Sequence, residues 1–154
     1  MITVQANEDP SVLENALSHL QCILLARRTR YTPEAVSWAQ YDILELLRLQ
    51  GPMRPSLLGD KLGAARTGIS KSLRVLKDLN LVEQMQGDGD RREQVTTLTR
   101  QGRDFLVRAA TSRRDAAQCV MAALTSGEQA MFTELCEKVS TALTSHAAEQ
   151  GTRA

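Results

Sequence analysis

The sequence predicts a mainly α-helical fold carrying one β-hairpin. Three observations lead there: apolar residues recur at three- and four-residue spacing along most of the chain, the period changes only around residues 81–98, and glycine or proline separates the periodic stretches. At 154 residues the chain is long enough to bury a modest core without metals or disulfides.

The first helix is read from Leu13, Leu17, Leu20 and Leu24, which make one apolar stripe ending near the basic run Arg27, Arg28, Arg30. Cations suit a helix C-terminus. Ser37 with Gln40 has the form of a capping box, so a second helix starts there and turns Ile43, Leu44 and Leu47 inward until Gly51-Pro52 stops it. Pro55 fits the first turn of a short third helix over 55–62, which Gly63 breaks. A fourth helix over 65–79 has two unlike faces: Ile69, Leu73 and Leu76 are apolar, while Thr67, Ser70, Lys71 and Arg74 are polar and cationic. Asn80 follows where a left-handed residue is expected.

Residues 81–86 and 93–98 then read as the strands of a hairpin whose tip holds Gly87, Gly89, Arg91 and Arg92. Thr99 caps a single long helix through Phe105, Leu106, Ala109, Ala116 and Val120 to about Leu124. Thr125 with Glu128 is a second capping box, opening a last helix with Phe132, Leu135, Val139 and Leu143 on one side. Residues 1–10 and 146–154 lack periodicity and read as frayed termini.

Composition bounds the function. Hydrophobic residues are 42% and charged residues 24%, ordinary for a globular chain, and aromatics at 3% are too scarce for a base- or sugar-stacking platform. A net charge of +1 gives no global sign of a nucleic-acid partner, so local charge must carry any such reading. Cys22, Cys119 and Cys136 have no metal-ligand or redox-pair spacing and read as reduced thiols. No leader or membrane-spanning pattern is read in the sequence, and the expectation is a cytoplasmic chain. His19 and His146 lie near opposite ends, no catalytic triad or phosphate-binding glycine motif occurs, and the expectation is no enzyme, no metal and no cofactor.

Short helix, glycine turn, longer helix and hairpin are the order of a winged helix-turn-helix. Charge adds to order: Arg66, Lys71, Arg74 and Lys77 follow one another without a carboxylate until Asp78, and Arg91 and Arg92 sit on the hairpin tip. Such cations meet phosphates and guanine edges in the major groove, or the negative potential of a narrow minor groove. Thr67 and Ser70 add hydroxyls for bases or phosphates. A solvated basic helix face is the alternative for the helix alone; the tip arginines argue against it.

The residues resemble the MarR-type regulators over about 37–143. The resemblance rests on Leu62-Gly63, Ile69-Ser70 with Leu76, Leu81-Val82, Asp90-Arg91-Arg92, Leu98-Thr99 with Gly102, and Leu124-Thr125 with Glu128. It implies a mainly α winged helix-turn-helix homodimer that binds double-stranded, palindromic DNA as a repressor. Residues 11–36 and 100–145 would be dimerisation helices and 37–99 the DNA-binding lobe. It also implies that Arg92 enters the minor groove with Asp90 orienting it, and that a phenolic or aromatic effector, or oxidation of a thiol, releases the DNA. Cys22, Tyr31, Trp38 and Tyr41 are the candidates for that sensing site, against core packing as the plainer role. The sequence departs from the family pattern at Ala65, where a serine or threonine cap is usual, and at Gln84, where an arginine is common. A winged helix that has lost DNA binding and docks a protein partner is the rival reading.

Overall fold

The computed structural model describes residues 10–30, 35–86 and 94–151, apart from the side chains of Ser112 and of residues 146–151. They divide into two units at residues 32 and 33. The first holds α1 (Val12–Thr29), whose N-terminus is closed by a capping box: Glu14 N–H donates to Ser11 Oγ at 3.2 Å and Ser11 N–H to Glu14 Oε2 at 2.6 Å. The serine and glutamate three apart are legible in the sequence, although the leucine stripe alone marks the helix there. None of its residues is buried; Leu13, Leu17, Leu20 and Leu24 are all exposed.

The second unit contains α2 (Trp38–Gln50), α3 (Pro55–Leu62), α4 (Arg66–Asp78), the strands β1 (Val82–Gln86) and β2 (Gln94–Leu98), then α5 (Arg100–Arg108), α6 (Thr111–Ala123) and α7 (Ser126–Gly151). Local signals set the boundaries of α2 to α4. Gln40 N–H donates to Ser37 Oγ and Ser37 N–H to Gln40 Oε1, closing the expected box at α2, which ends on Gly51 at φ 81°. Proline opens α3, and Gly63 ends it at φ 60°. Asn80 is left-handed at φ 55°, as its position after α4 leads one to expect.

The core lies between these elements. Ile43, Leu44 and Leu47 of α2 meet Leu58 of α3, Ile69, Leu73 and Leu76 of α4, Leu81, Val82 and Leu98 of the hairpin, and Phe105 and Leu106 of α5. The hairpin is antiparallel with Val82 opposite Leu98 and Gln86 opposite Gln94. Met53 extends it by a bridge in which Met53 and Thr96 exchange both backbone hydrogen bonds, at 3.1 and 2.9 Å. This ties the segment between α2 and α3 to the wing's second strand.

Two expectations are corrected. The single helix expected from residue 99 to 124 is two helices, because Ala109 and Ala110 sit at ψ 2° and 0°, well away from the helical value near about −42°. Neither glycine nor proline marks the bend; Ala110 is fully buried there, and Arg113 beyond it reaches back to Glu45. At the other end, α7 continues to Gly151 instead of fraying from His146. Ala147, Ala148, Glu149 and Gln150 are good helix formers, so propensity outlasts the apolar pattern. The box at Thr125 and Glu128 forms as expected, with Thr125 N–H donating to Glu128 Oε2 at 2.8 Å. No described helix is long and apolar enough to cross a membrane.

Candidate nucleic-acid interface

Helix α4 is held by its apolar side and leaves its polar side in solvent. Ile69, Leu73 and Leu76 are buried, whereas Arg66, Thr67, Ser70, Lys71, Arg74 and Lys77 are all exposed. At 3.6 residues per turn these six fall into two groups. Thr67, Lys71 and Arg74 lie nearly opposite the buried stripe and form a crest. Arg66, Ser70 and Lys77 lie on one flank, where they line a groove of about 480 Å³ with Arg54, Pro55 and Ser56 at the start of α3 and Gln84 and Gln94 of the hairpin. The crest can enter a groove of duplex DNA, and the flank presents cations beside it.

Ala65 occupies the N-cap of α4 at φ −61° and ψ 146°, with no side-chain cap. The backbone already has the geometry that a serine or threonine would exploit. The other departure, Gln84, accepts from Lys77 Nζ at 2.9 Å and donates through Nε2 to Thr96 Oγ1 at 3.4 Å. Lys77 therefore reaches the base of the wing as well as the flank. The sequence alone gave no sign of this link, since it joins positions on two different elements.

Thr99 fixes how α5 leaves the hairpin: its Oγ1 donates to Asn80 O at 2.6 Å and accepts from Gly102 N–H at 2.9 Å. Gly102 lies so close to Leu81 that a Cβ there would stand 2.0 Å from the Leu81 carbonyl oxygen. Close packing of α5 on the hairpin base thus requires glycine.

Asp90, Arg91 and Arg92 lie outside the described residues, as does Tyr31. Of the remaining sensing candidates, Trp38 and Tyr41 are brought together edge to face at 5.4 Å; Tyr41 is a core residue and Trp38 packs against the core. Cys22 is exposed on α1, in the first unit. By helical spacing it lies on the side of α1 away from the leucine stripe. No described histidine, cysteine, aspartate and glutamate side chains group into a metal site.

This arrangement, a short bracing helix, an amphipathic second helix and an antiparallel hairpin, is that of a winged helix-turn-helix fold. Residues 36–93 match the model of the MarR family. A mutant of MarR from E. coli has the same fold with a TM-score of 0.65 and 22% identity, over 86% of this chain and 98% of that one. BpsR from Bordetella bronchiseptica, described with a mechanism for regulation of its DNA binding by 6-hydroxynicotinic acid, aligns with a TM-score of 0.63 and 21% identity over 84% and 99%. PcaV from Streptomyces coelicolor, a transcriptional regulator in complex with its natural ligand, aligns with a TM-score of 0.57 and 23% identity over 93% and 99%. No curated protein matches the sequence. The resemblance read from the sequence is borne out: residues 36–93 are similar to the MarR family model, and the chain shares the fold of MarR-type structures over most of its length.

Proposed function

We propose that this regulator binds palindromic double-stranded DNA as a homodimer in the cytoplasm and represses transcription until a small aromatic or oxidative signal releases it. The observation that carries this reading is the crest of α4, where Thr67, Lys71 and Arg74 stand exposed above a fully apolar inner face. Arg66, Ser70 and Lys77 on the flank supply phosphate contacts, and Asp90, Arg91 and Arg92 at the wing tip supply the minor-groove contact.

Dimerisation is supported by the apolar stripes of α1 and α7. Leu13, Leu17, Leu20 and Leu24, with Phe132, Leu135, Val139 and Leu143, are exposed in the single chain, and surfaces of this kind are normally covered by a partner. Two-fold symmetry of the dimer then makes the operator an inverted repeat. Release by an aromatic acid draws support from the regulation of DNA binding by 6-hydroxynicotinic acid in BpsR. Cys22, Tyr31, Trp38 and Tyr41 are the residues assigned to sensing.

The test selects bound sequences from a random duplex pool and titrates the recovered operator against salt. An inverted repeat bound with a steep salt slope is expected, and Arg92→Ala should lower that slope by about one charge if it releases one condensed counterion. A dimer that retains no duplex under any salt condition would leave the fold as a protein-docking module.

A further inference from the structure

Helices α5 and α6 meet at a bend rather than running as one rod, and a charged clasp spans the bend. Ala109 N–H still donates to Phe105 O at 2.8 Å and Arg114 N–H to Ala110 O at 2.9 Å, so helical bonding closes on both sides of the two residues at ψ near 0°. On the third residue of α6, Arg113 Nη1 donates to both carboxylate oxygens of Glu45 on α2, at 2.8 and 2.9 Å. Glu45 also accepts from Arg48 Nε at 3.0 Å. Its side chain is 18% exposed and that of Arg113 40% exposed, so the pair is partly withdrawn from solvent.

We infer that Glu45 and Arg113 are positioning residues that set the half-site spacing the dimer accepts. The inference rests on the proposed reading of the chain as a dimeric DNA-binding regulator. Helix α5 is built into the lobe through Gly102, Phe105 and Leu106, whereas α6 has no buried residue among its described side chains and meets α7, which in turn also packs against α3. The bend is therefore the covalent junction, beside the packing of α7 on α3, between the lobe proposed to read DNA and the helices proposed to join the two copies. With 13 residues, α6 is about 20 Å long, and a swing of roughly 10° at its start displaces its end by about 3.4 Å. That displacement is one base-pair step along a strand, about 3.4 Å. The alanines are held by packing alone, with Ala110 buried and Ala109 against the core, and neither carries a polar group that could fix the angle directionally. Arg113, fixed to Glu45 through two bonds with Arg48 steadying the same carboxylate, supplies the restraint. With Arg113 40% exposed the pair adds only modestly to global stability, so its effect falls more on angle than on folding.

The experiment compares wild type, Arg113→Gln, Glu45→Gln and Arg113→Lys on the selected operator, on versions lengthened or shortened by one base pair between half-sites, and on an isolated half-site. Wild type is expected to lose about tenfold in affinity when the spacing changes by one pair, and the two glutamine variants less than about threefold. Arg113→Lys, which keeps the charge but not the rigid planar guanidinium, should fall between them. Half-site affinity should stay within about twofold of wild type for all four. Spacing selectivity that is unchanged in folded, dimeric Arg113→Gln and Glu45→Gln overturns the inference while leaving DNA binding intact. A wild type that binds no duplex of any spacing overturns the functional reading, and the inference falls with it.

Discussion

Lys77 Nζ donates to Gln84 Oε1 at 2.9 Å, joining the last cation of α4 to the first strand of the wing. Through Gln84 Nε2 and the buried Thr96 hydroxyl the link continues to the second strand, whose backbone is bridged to Met53. One polar chain thus connects α4, both wing strands and the entry to α3. In this arrangement Lys77 is tied to the wing as well as to the flank, whereas Lys71 and Arg74 stand on the exposed crest.

The three cations should therefore respond differently to removal. Arg74→Ala should cost about 1–3 kcal/mol of operator binding and relax preference at one base if it pairs with guanine, or weaken all sequences alike if it meets phosphate. Lys77→Ala and Gln84→Ala should each weaken binding less, and their effects should not add. A coupling of roughly 0.5–1 kcal/mol is expected for a shared exposed hydrogen bond. Duplex titrations of the two single variants and the double variant measure it; strict additivity would show that Lys77 acts independently of the wing.

Glycine-to-alanine changes should have opposite signs at two helical positions. At Gly102 the new methyl would meet the Leu81 carbonyl oxygen at 2.0 Å, so α5 must move off the hairpin. A loss of roughly 3 kcal/mol, at the upper end of overpacking effects, is expected. At Gly68, inside α4, nothing lies within 4 Å of the added carbon. Alanine there should stabilise by about 1 kcal/mol through helix propensity. Urea unfolding of both variants with unchanged slopes provides the comparison.

Much of this fold was legible because its punctuation is local. Ser37 with Gln40, Pro55, Gly63, Asn80 and Thr125 with Glu128 each act over three or four residues, and each sits where its chemistry leads one to expect. The bend was not legible, since alanine is the strongest helix former and two in succession argue for continuation. What accompanies it, Arg113 on Glu45, joins residues 68 apart. The Lys77 to Gln84 link escaped for a related reason. Helical periodicity identifies the outward face of α4, but only the packed hairpin distinguishes its flank from its crest. Gly102 could be recognised as part of a family pattern, yet its physical reason, the Leu81 carbonyl against α5, required the tertiary structure.

Acid should loosen the clasp between α2 and α6. Burial disfavours the charged form of Glu45, but hydrogen bonds from Arg48 and the charge and hydrogen bonds of Arg113 outweigh it and hold the carboxyl below its ordinary value of 4.5. A carboxyl lowered on folding contributes stability that is present above the unfolded value and is lost as pH falls through the folded one. The hydrogen bonds donated by Ser11 and Thr125 lower Glu14 and Glu128 in the same direction. Stability should therefore decline with pH below about 4.5. The stability difference between wild type and Glu45→Gln, measured by urea unfolding across that range, should shrink as Glu45 is protonated. A difference independent of pH would show that the Glu45 charge does not contribute.

Helix α4 begins on an uncapped alanine, and this invites a gain of stability by a single side chain. Ala65 already has the extended backbone of an N-cap, at φ −61° and ψ 146°, and it is exposed, so a hydroxyl needs no repacking. In Ala65→Ser the oxygen would accept from the Gly68 N–H, one of the four amides that the first turn leaves without a helical partner. The expected gain is about 1 kcal/mol, raising the melting temperature by roughly 2–4 °C for a chain of this size. Ala65→Gly tests whether the hydroxyl or merely the N-cap backbone matters: glycine caps only a few tenths of a kcal/mol less well than serine in typical hosts, yet it loosens the unfolded chain. Serine should therefore rank above both alanine and glycine in thermal melts. A serine variant that melts with or below wild type would mean that the first turn of α4 already has its amides satisfied by other means, and the departure at Ala65 would carry no energetic cost.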